Sequence, residues 1–141
     1  MIPAVPFKTC PISASLRVLG NKWTMPILRD IGFLRVDRFN RILRSLPGLT
    51  PRVLSMRLTE LEKNGIIERL PIRREPNAVR WSLTEKGKST LPILMSLIEF
   101  GSRWHADLVF EDRPPGAIEQ LFPELPFNRS PATVAGKWPR D

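Results

Sequence analysis

LPGLTPRVLSMRLTELEKNGIIER, residues 46–69, holds two helix stops with one helix start between them. Pro47-Gly48 ends the helix before it, because proline lacks an N–H and glycine turns freely. Thr50-Pro51 opens the next: threonine is a favoured N-cap, and proline suits the first helical position, where the N–H has no partner anyway. The spacing predicts a helix from Pro51 to about Asn64, with Leu54, Leu58 and Leu61 as its buried stripe and Gly65 as its left-handed stop.

Outward from this stretch, short helical blocks precede it. Ile12, Leu16 and Leu19 stand at i, i+4 and i+7 and end at Gly20. Trp23, Ile27, Leu28 and Ile31 continue to Gly32, which places Pro26 in the first turn of its helix. Asp37 reads as the cap of a third helix carrying Phe39, Ile42, Leu43 and Leu46. That helix, the Pro-Gly turn and the helix from Pro51 make a helix-turn-helix. After Gly65 the period falls to two. Residues Ile66–Leu70 and Val79–Leu83 read as strands, with Pro71–Ala78 as a basic loop between them. Thr84 caps a long helix to about Leu108, and Pro92 kinks or restarts it. The expected fold is mainly helical α+β, a winged helix-turn-helix.

Composition narrows the function. The 141 residues carry 22 Lys and Arg against 14 Asp and Glu, a net charge of +8. Residues 1–105 hold 18 basic and 8 acidic side chains, whereas residues 106–141 hold 4 and 6. The excess therefore belongs to the folded body and points to a polyanion, most simply nucleic acid. One cysteine and one histidine exclude an internal disulfide and a His-pair or Cys-based metal site. No nucleophile–base–orienter set or Gly-rich phosphate loop is present, so no enzyme, metal or cofactor is expected. With no long apolar run and no signal-peptide order, the chain reads as a cytoplasmic protein without membrane contact. Six of the 15 prolines lie in the last 36 residues. The chain thus divides into an N-terminal arm (1–8), a body (9–105) and a Pro-rich extension (106–141) with one short helix near 116–122.

CPISASLRVLGNKW (10–23), LPGLTPRVLSMRLTELEKNGIIER (46–69) and the terminal WSLTEKG (81–87), in this order, resemble the HxlR family of winged helix-turn-helix transcription regulators, relatives of the MarR-type regulators. The resemblance covers about residues 9–104. It implies a homodimer on double-stranded DNA, joined through its first and last helices, with Ile12, Leu16, Leu94 and Ile98 near the two-fold axis. Two features depart from the family pattern: EPNAVRW in the wing, where a Pro-Pro and a Tyr are more usual, and the length of the tail.

The residues that would meet DNA follow from helical geometry. With the leucine stripe inward, Arg52, Ser55, Met56, Thr59 and Lys63 turn outward. Such a helix enters a major groove with its N-terminal half toward base edges. Arg52 is then placed for a bidentate guanine contact, Ser55 for a base or phosphate, and Met56 for a thymine methyl. Thr50, at the helix start, is placed for a phosphate, and Pro51 beside it is counted among the DNA-facing residues. Arg38, Arg41 and Arg44 recur every third residue and suit backbone positioning. In the wing, Arg73, Arg74 and Arg80 surround Asn77 and suit phosphates or a narrow minor groove. A merely solvated basic face is the alternative, as is a protein-interaction module whose basic face meets an acidic protein.

Cys10 precedes Pro11 and so stands at the N-cap of the first helix, where the helix dipole and Lys8 favour a thiolate. The resemblance adds an N-terminal cysteine that senses electrophiles or oxidants. A small thiol packed at the dimer seam is the other reading. Trp23, Trp81, Trp104 and Phe100 are read as core in preference to an effector pocket, and His105 as a helix-end residue.

Overall fold

The computed structural model describes residues 6–110. Its elements run α1 (Pro11–Leu19), α2 (Thr24–Gly32), α3 (Phe39–Ser45), α4 (Pro51–Lys63), β1 (Ile67–Ile72), β2 (Glu75–Leu83), α5 (Glu85–Lys88), α6 (Leu91–Trp104) and α7 (Ala106–Val109). This is the mainly helical winged helix-turn-helix expected. Residues Lys8–Leu94 form one compact unit, and the described residues from Met95 onward belong to a second. The expected helix near 116–122, most of the Pro-rich extension and most of the N-terminal arm lie outside the described residues.

The core of the first unit is the apolar pattern of the sequence folded inward. Ile27, Leu28 and Ile31 of α2 meet Ile42 and Leu46 of the α3 segment and Leu54, Leu58 and Leu61 of α4. Ile66, Ile67, Trp81 and Leu83 bring the hairpin onto the same cluster. Trp23 packs against it from the edge, with its ring 3.7 Å from where a Cβ on Gly48 would stand. Gly48 (φ 91°) and Gly65 (φ 69°) supply the left-handed backbone that the two turns around α4 demand. The orientation of α4 is fixed on its inner flank. Arg57 donates to Glu60 Oε2 at 2.7 Å, and Asn21 donates to the same oxygen at 3.4 Å, tying α4 to the α1–α2 connection.

Three expectations need correction. The long helix from Thr84 is divided. Thr84 caps only α5, its Oγ1 accepting from Gly87 N at 3.0 Å, and a fresh helix starts at Leu91 with Pro92 tolerated in its first turn. Pro92 therefore restarts the helix and does not kink it. Asp37 is not a cap, because the position before Phe39 is taken by Arg38, which makes no side-chain cap bond. The Asp37 carbonyl instead accepts from Trp81 N at 2.8 Å, so the α2–α3 connection lies along β2. Finally, Pro71–Ala78 is not a loop. The strands extend to Ile72 and from Glu75, leaving Arg73-Arg74 as a two-residue tip. Pro71 pairs with Val79 while Ile72 pairs with Glu75, so Pro76, Asn77 and Ala78 are accommodated as a bulge. Both prolines are tolerated because a two-stranded sheet is all edge.

Candidate nucleic-acid interface

The helix α4 presents the two faces that its spacing requires. Leu54, Leu58 and Leu61 are buried, while Pro51, Arg52, Ser55, Met56, Thr59 and Lys63 are exposed. Thr50 caps the helix, its Oγ1 accepting from Val53 N at 3.3 Å. The Thr59 hydroxyl is taken up locally, donating to the Ser55 carbonyl at 2.9 Å. Ser55 thus keeps its own hydroxyl for another partner. Met56 is 46% exposed, an unbranched apolar side chain in water beside polar neighbours.

The structure sorts the arginines of the α3 segment, α4 and the wing into two groups. Arg38 pairs with Glu75 across α3 and β2 at 3.5 Å, and Arg80 reaches Asp37 at 4.0 Å. Arg57 is bound to Glu60, and Arg69 to Glu62 at 2.8 Å while stacking over the Trp81 ring. Arg44 donates through Nε to the Asn40 carbonyl at 3.3 Å. By contrast, Arg41 on α3, Arg52 on α4 and Arg73 and Arg74 at the wing tip are exposed and have no hydrogen-bond or ion-pair partner among the described residues. Unpaired cations on three successive elements carry full charge into solvent. Arg38 and Arg80, equally plausible from sequence, are partly neutralised where they stand. Such exposed pairs add well under about 1 kcal/mol each, so their effect is to orient the wing and the α2–α3 connection.

Two of the unpaired cations are held against local preference. Arg52 occupies the first turn of α4, where the helix dipole disfavours positive charge. Arg74 sits at φ 70°, a left-handed conformation that a side chain enters only at a cost of about 1 kcal/mol or more. Asn77 lies in the bulge beside the tip and is exposed.

Of the four residues that the resemblance places near a two-fold axis, Ile12 and Leu16 are 70% and 57% exposed on α1, a helix that buries none of its residues. Leu94 is buried in the core of the chain itself. Ile98, in the second unit, is half-buried. The aromatic residues divide likewise: Trp23 and Trp81 are core, whereas Phe100 and Trp104 are exposed.

Cys10 is exposed at the N-cap of α1, with Pro11 at the first helical position. No closed cap hydrogen bond forms, but the thiol faces the unpaired N–H groups of Ser13 and Ile12. These hold it below its ordinary range, outweighing the small opposing effect of burial. Alkylation by iodoacetamide should accordingly follow a pH profile centred below the ~8.5 of a free cysteine, and Cys10→Ser should abolish labelling. A midpoint at or above that value would contradict the assignment. Among the described residues, no cluster of His, Cys, Asp and Glu could hold a metal ion, and no helix is long and apolar enough to cross a membrane.

The model of the HxlR-like helix-turn-helix family matches residues 18–108. The chain is 37% identical over 95 residues to the uncharacterized HTH-type transcriptional regulator sll1512 of Synechocystis, covering 67% of this chain and 70% of that protein. Among solved structures, it is similar to a possible HxlR family transcriptional factor from Thermoplasma volcanium (31% identity, TM-score 0.58, 70% of this chain and 87% of the other). It is also similar to the redox regulator HypR in its oxidized form (35% identity, TM-score 0.59, 67% and 96%).

Proposed function

Because the chain belongs to the HxlR-like helix-turn-helix family of transcriptional regulators, we propose that it binds a pseudo-palindromic operator in double-stranded DNA as a homodimer in the cytoplasm. One observation carries this reading: Arg52 on the exposed face of α4, Arg41 on the preceding α3 and Arg73 and Arg74 at the wing tip are exposed cations with no hydrogen-bond or ion-pair partner among the described residues. In this reading α4 enters the major groove, Arg52 and Ser55 read base edges, and the wing tip lies on the flanking backbone or minor groove. Two copies, joined through α1 and Ile98 of α6, set their reading helices about 34 Å apart, one turn of DNA. The apolar face at Ile12 and Leu16 supports that contact. Likeness to a redox regulator and the depressed Cys10 thiol support a thiol-linked response, in which modification of Cys10 at the start of α1 alters the pairing of the protomers.

The test is fluorescence anisotropy with duplex from the gene's own upstream region, scrambled duplex as competitor and a salt series, alongside light scattering for the mass in solution. The expected result is a dimer that prefers the upstream duplex by about a thousandfold, with a steep salt slope. A negligible salt slope with DNA would replace this reading by one in which the basic face meets an acidic protein.

Arg74→Gly separates strain from charge in this reading. Glycine adopts φ 70° freely, so the variant should be more stable by about 0.5–1 kcal/mol after the entropy of the freer unfolded chain is subtracted. It should also bind every duplex more weakly, with the salt slope reduced by about one. A loss confined to one sequence would count against a backbone role for the tip, and a fall in melting temperature would count against the strain at Arg74.

A further inference from the structure

Between α3 and the wing lies an open cleft of about 560 Å³, within the first compact unit. Its size falls in the range of small-molecule sites, roughly 300–1,000 Å³. The walls are of two kinds. Arg41 and Arg44 line it from α3 as the charged residues, and Phe39, Ile72, Ala78 and Val79 line it as the apolar ones. The wing bulge creates the far wall: three extra residues between Glu75 and Val79 carry Ala78 and Asn77 out of the ladder and against this space. Arg38, which also lines the cleft, pairs with Glu75 of the wing and so ties the α3 side to the wing side. Val79 is 42% exposed there, an apolar strand residue left in water beside unpaired positive charge.

We propose that this α3–wing cleft is a binding site for a small amphipathic organic anion, a carboxylate or sulfonate carried on a flat apolar body. A phosphodiester strand uses the arginines but gains little from the floor of Phe39, Ile72, Ala78 and Val79, because apolar surface is stabilised only by covering it with carbon. A neutral hydrophobe covers the floor and leaves Arg41 without a counter-charge. The amphipathic anion satisfies both, with charge-assisted hydrogen bonds to a planar guanidinium fixing its orientation. If Arg41 and Arg44 also contact the DNA backbone, which rests on the function proposed above, occupancy competes with phosphate for the same cations. The anion then lowers operator affinity, and by reciprocity DNA lowers affinity for the anion.

Naphthoate is the probe, titrated into isotope-labelled full-length protein and followed by amide chemical shifts. Saturable shifts at Phe39, Ile72 and Val79 are expected. Acetate, which has the charge without the body, and naphthalenemethanol, which has the body without the charge, should each bind at least about tenfold more weakly. Replacing both exposed cations, Arg41→Gln with Arg44→Gln, should weaken naphthoate by about tenfold or more and leave core amide shifts in place. No saturation up to roughly 10 mM, equal response to the neutral alcohol, or shifts centred on Ile12 and Leu16 would overturn the site. In the anisotropy assay, saturating naphthoate should weaken the upstream duplex roughly tenfold. Cleft binding with unchanged duplex affinity would overturn the competition and uphold the site. Cleft binding in a protein with no affinity for DNA would uphold the site and overturn the operator reading.

Discussion

Replacing Gly87 by alanine should destabilise the protein by about 3 kcal/mol or more, a fall in melting temperature on the order of 15 °C. A Cβ built at this position stands 2.0 Å from the Ile66 carbonyl oxygen and 3.2 Å from Leu83 Cβ. The first of these is backbone, and it has no room to withdraw. The Ile66 carbonyl accepts from Thr84 N at 3.1 Å, and the one proton of the Thr84 hydroxyl is shared between the Gly65 carbonyl and, at 3.2 Å, the Ile66 carbonyl. Thr84 in turn caps α5 through Gly87 N. Pushing Ile66 away therefore breaks the junction that holds the end of α4, both strands and α5 together. The same exchange at Gly101, which has nothing among the described residues within 4 Å of its would-be Cβ, should stabilise α6 by up to about 1 kcal/mol. Urea unfolding of the two variants checks both signs. A loss below about 1 kcal/mol for Gly87→Ala would show that the junction yields more readily than its hydrogen bonds suggest.

Arg52→Ala should remove about 1–3 kcal/mol of discrimination between upstream and scrambled duplex, roughly 5- to 150-fold, while the fold gains slightly in stability. The two effects have separate causes. Arg52 makes no contact among the described residues that the fold would lose. Its positive charge lies at the positive end of α4, so removing it relieves about 0.3–1 kcal/mol of unfavourable dipole interaction. A residue that only solvated the helix would give the stability gain with no change in base preference. Equal losses on both duplexes would make Arg52 a phosphate contact and end its assignment as a base reader. Competition anisotropy and thermal unfolding on the same preparation distinguish these cases.

The elements legible in the sequence are those whose signals are local. Thr50-Pro51 and Gly65 bound α4 as expected, and the leucine spacing gives its buried face directly, because helix ends and 3.6-residue periodicity depend on neighbours in the chain. The wing is hidden from a reading of the sequence for the complementary reason. Two prolines and three charges within Pro71–Ala78 argue for loop in any single-strand view, and only pairing across the hairpin shows that they fall at an edge and a bulge. Asp37 misleads similarly: its type suits a cap, but its carbonyl is claimed by Trp81, 44 positions later. At the candidate interface, residue types and helix phase identified the outward face. They could not separate Arg41 from Arg38, or Arg74 from Arg80, because ion pairing depends on which acidic side chain folding brings within reach. The α3–wing cleft has no local signature, since its walls are 30 residues apart.

The two-residue wing tip bears on the timing of recognition. An eight-residue loop would reach its target as a distribution of shapes, and ordering each residue would cost about 1–2 kcal/mol of backbone entropy at the moment of contact. Here the chain between Pro71 and Val79 is already laddered or bulged: Arg73 and Arg74 form the tip, and Pro76, Asn77 and Ala78 are held in the bulge. The ordering is completed during folding and not during encounter. Association should accordingly proceed as a docking of preformed surfaces, its rate governed by long-range attraction and therefore sensitive to salt. The heat capacity change should then match the area covered, with no additional contribution from a segment that folds on contact.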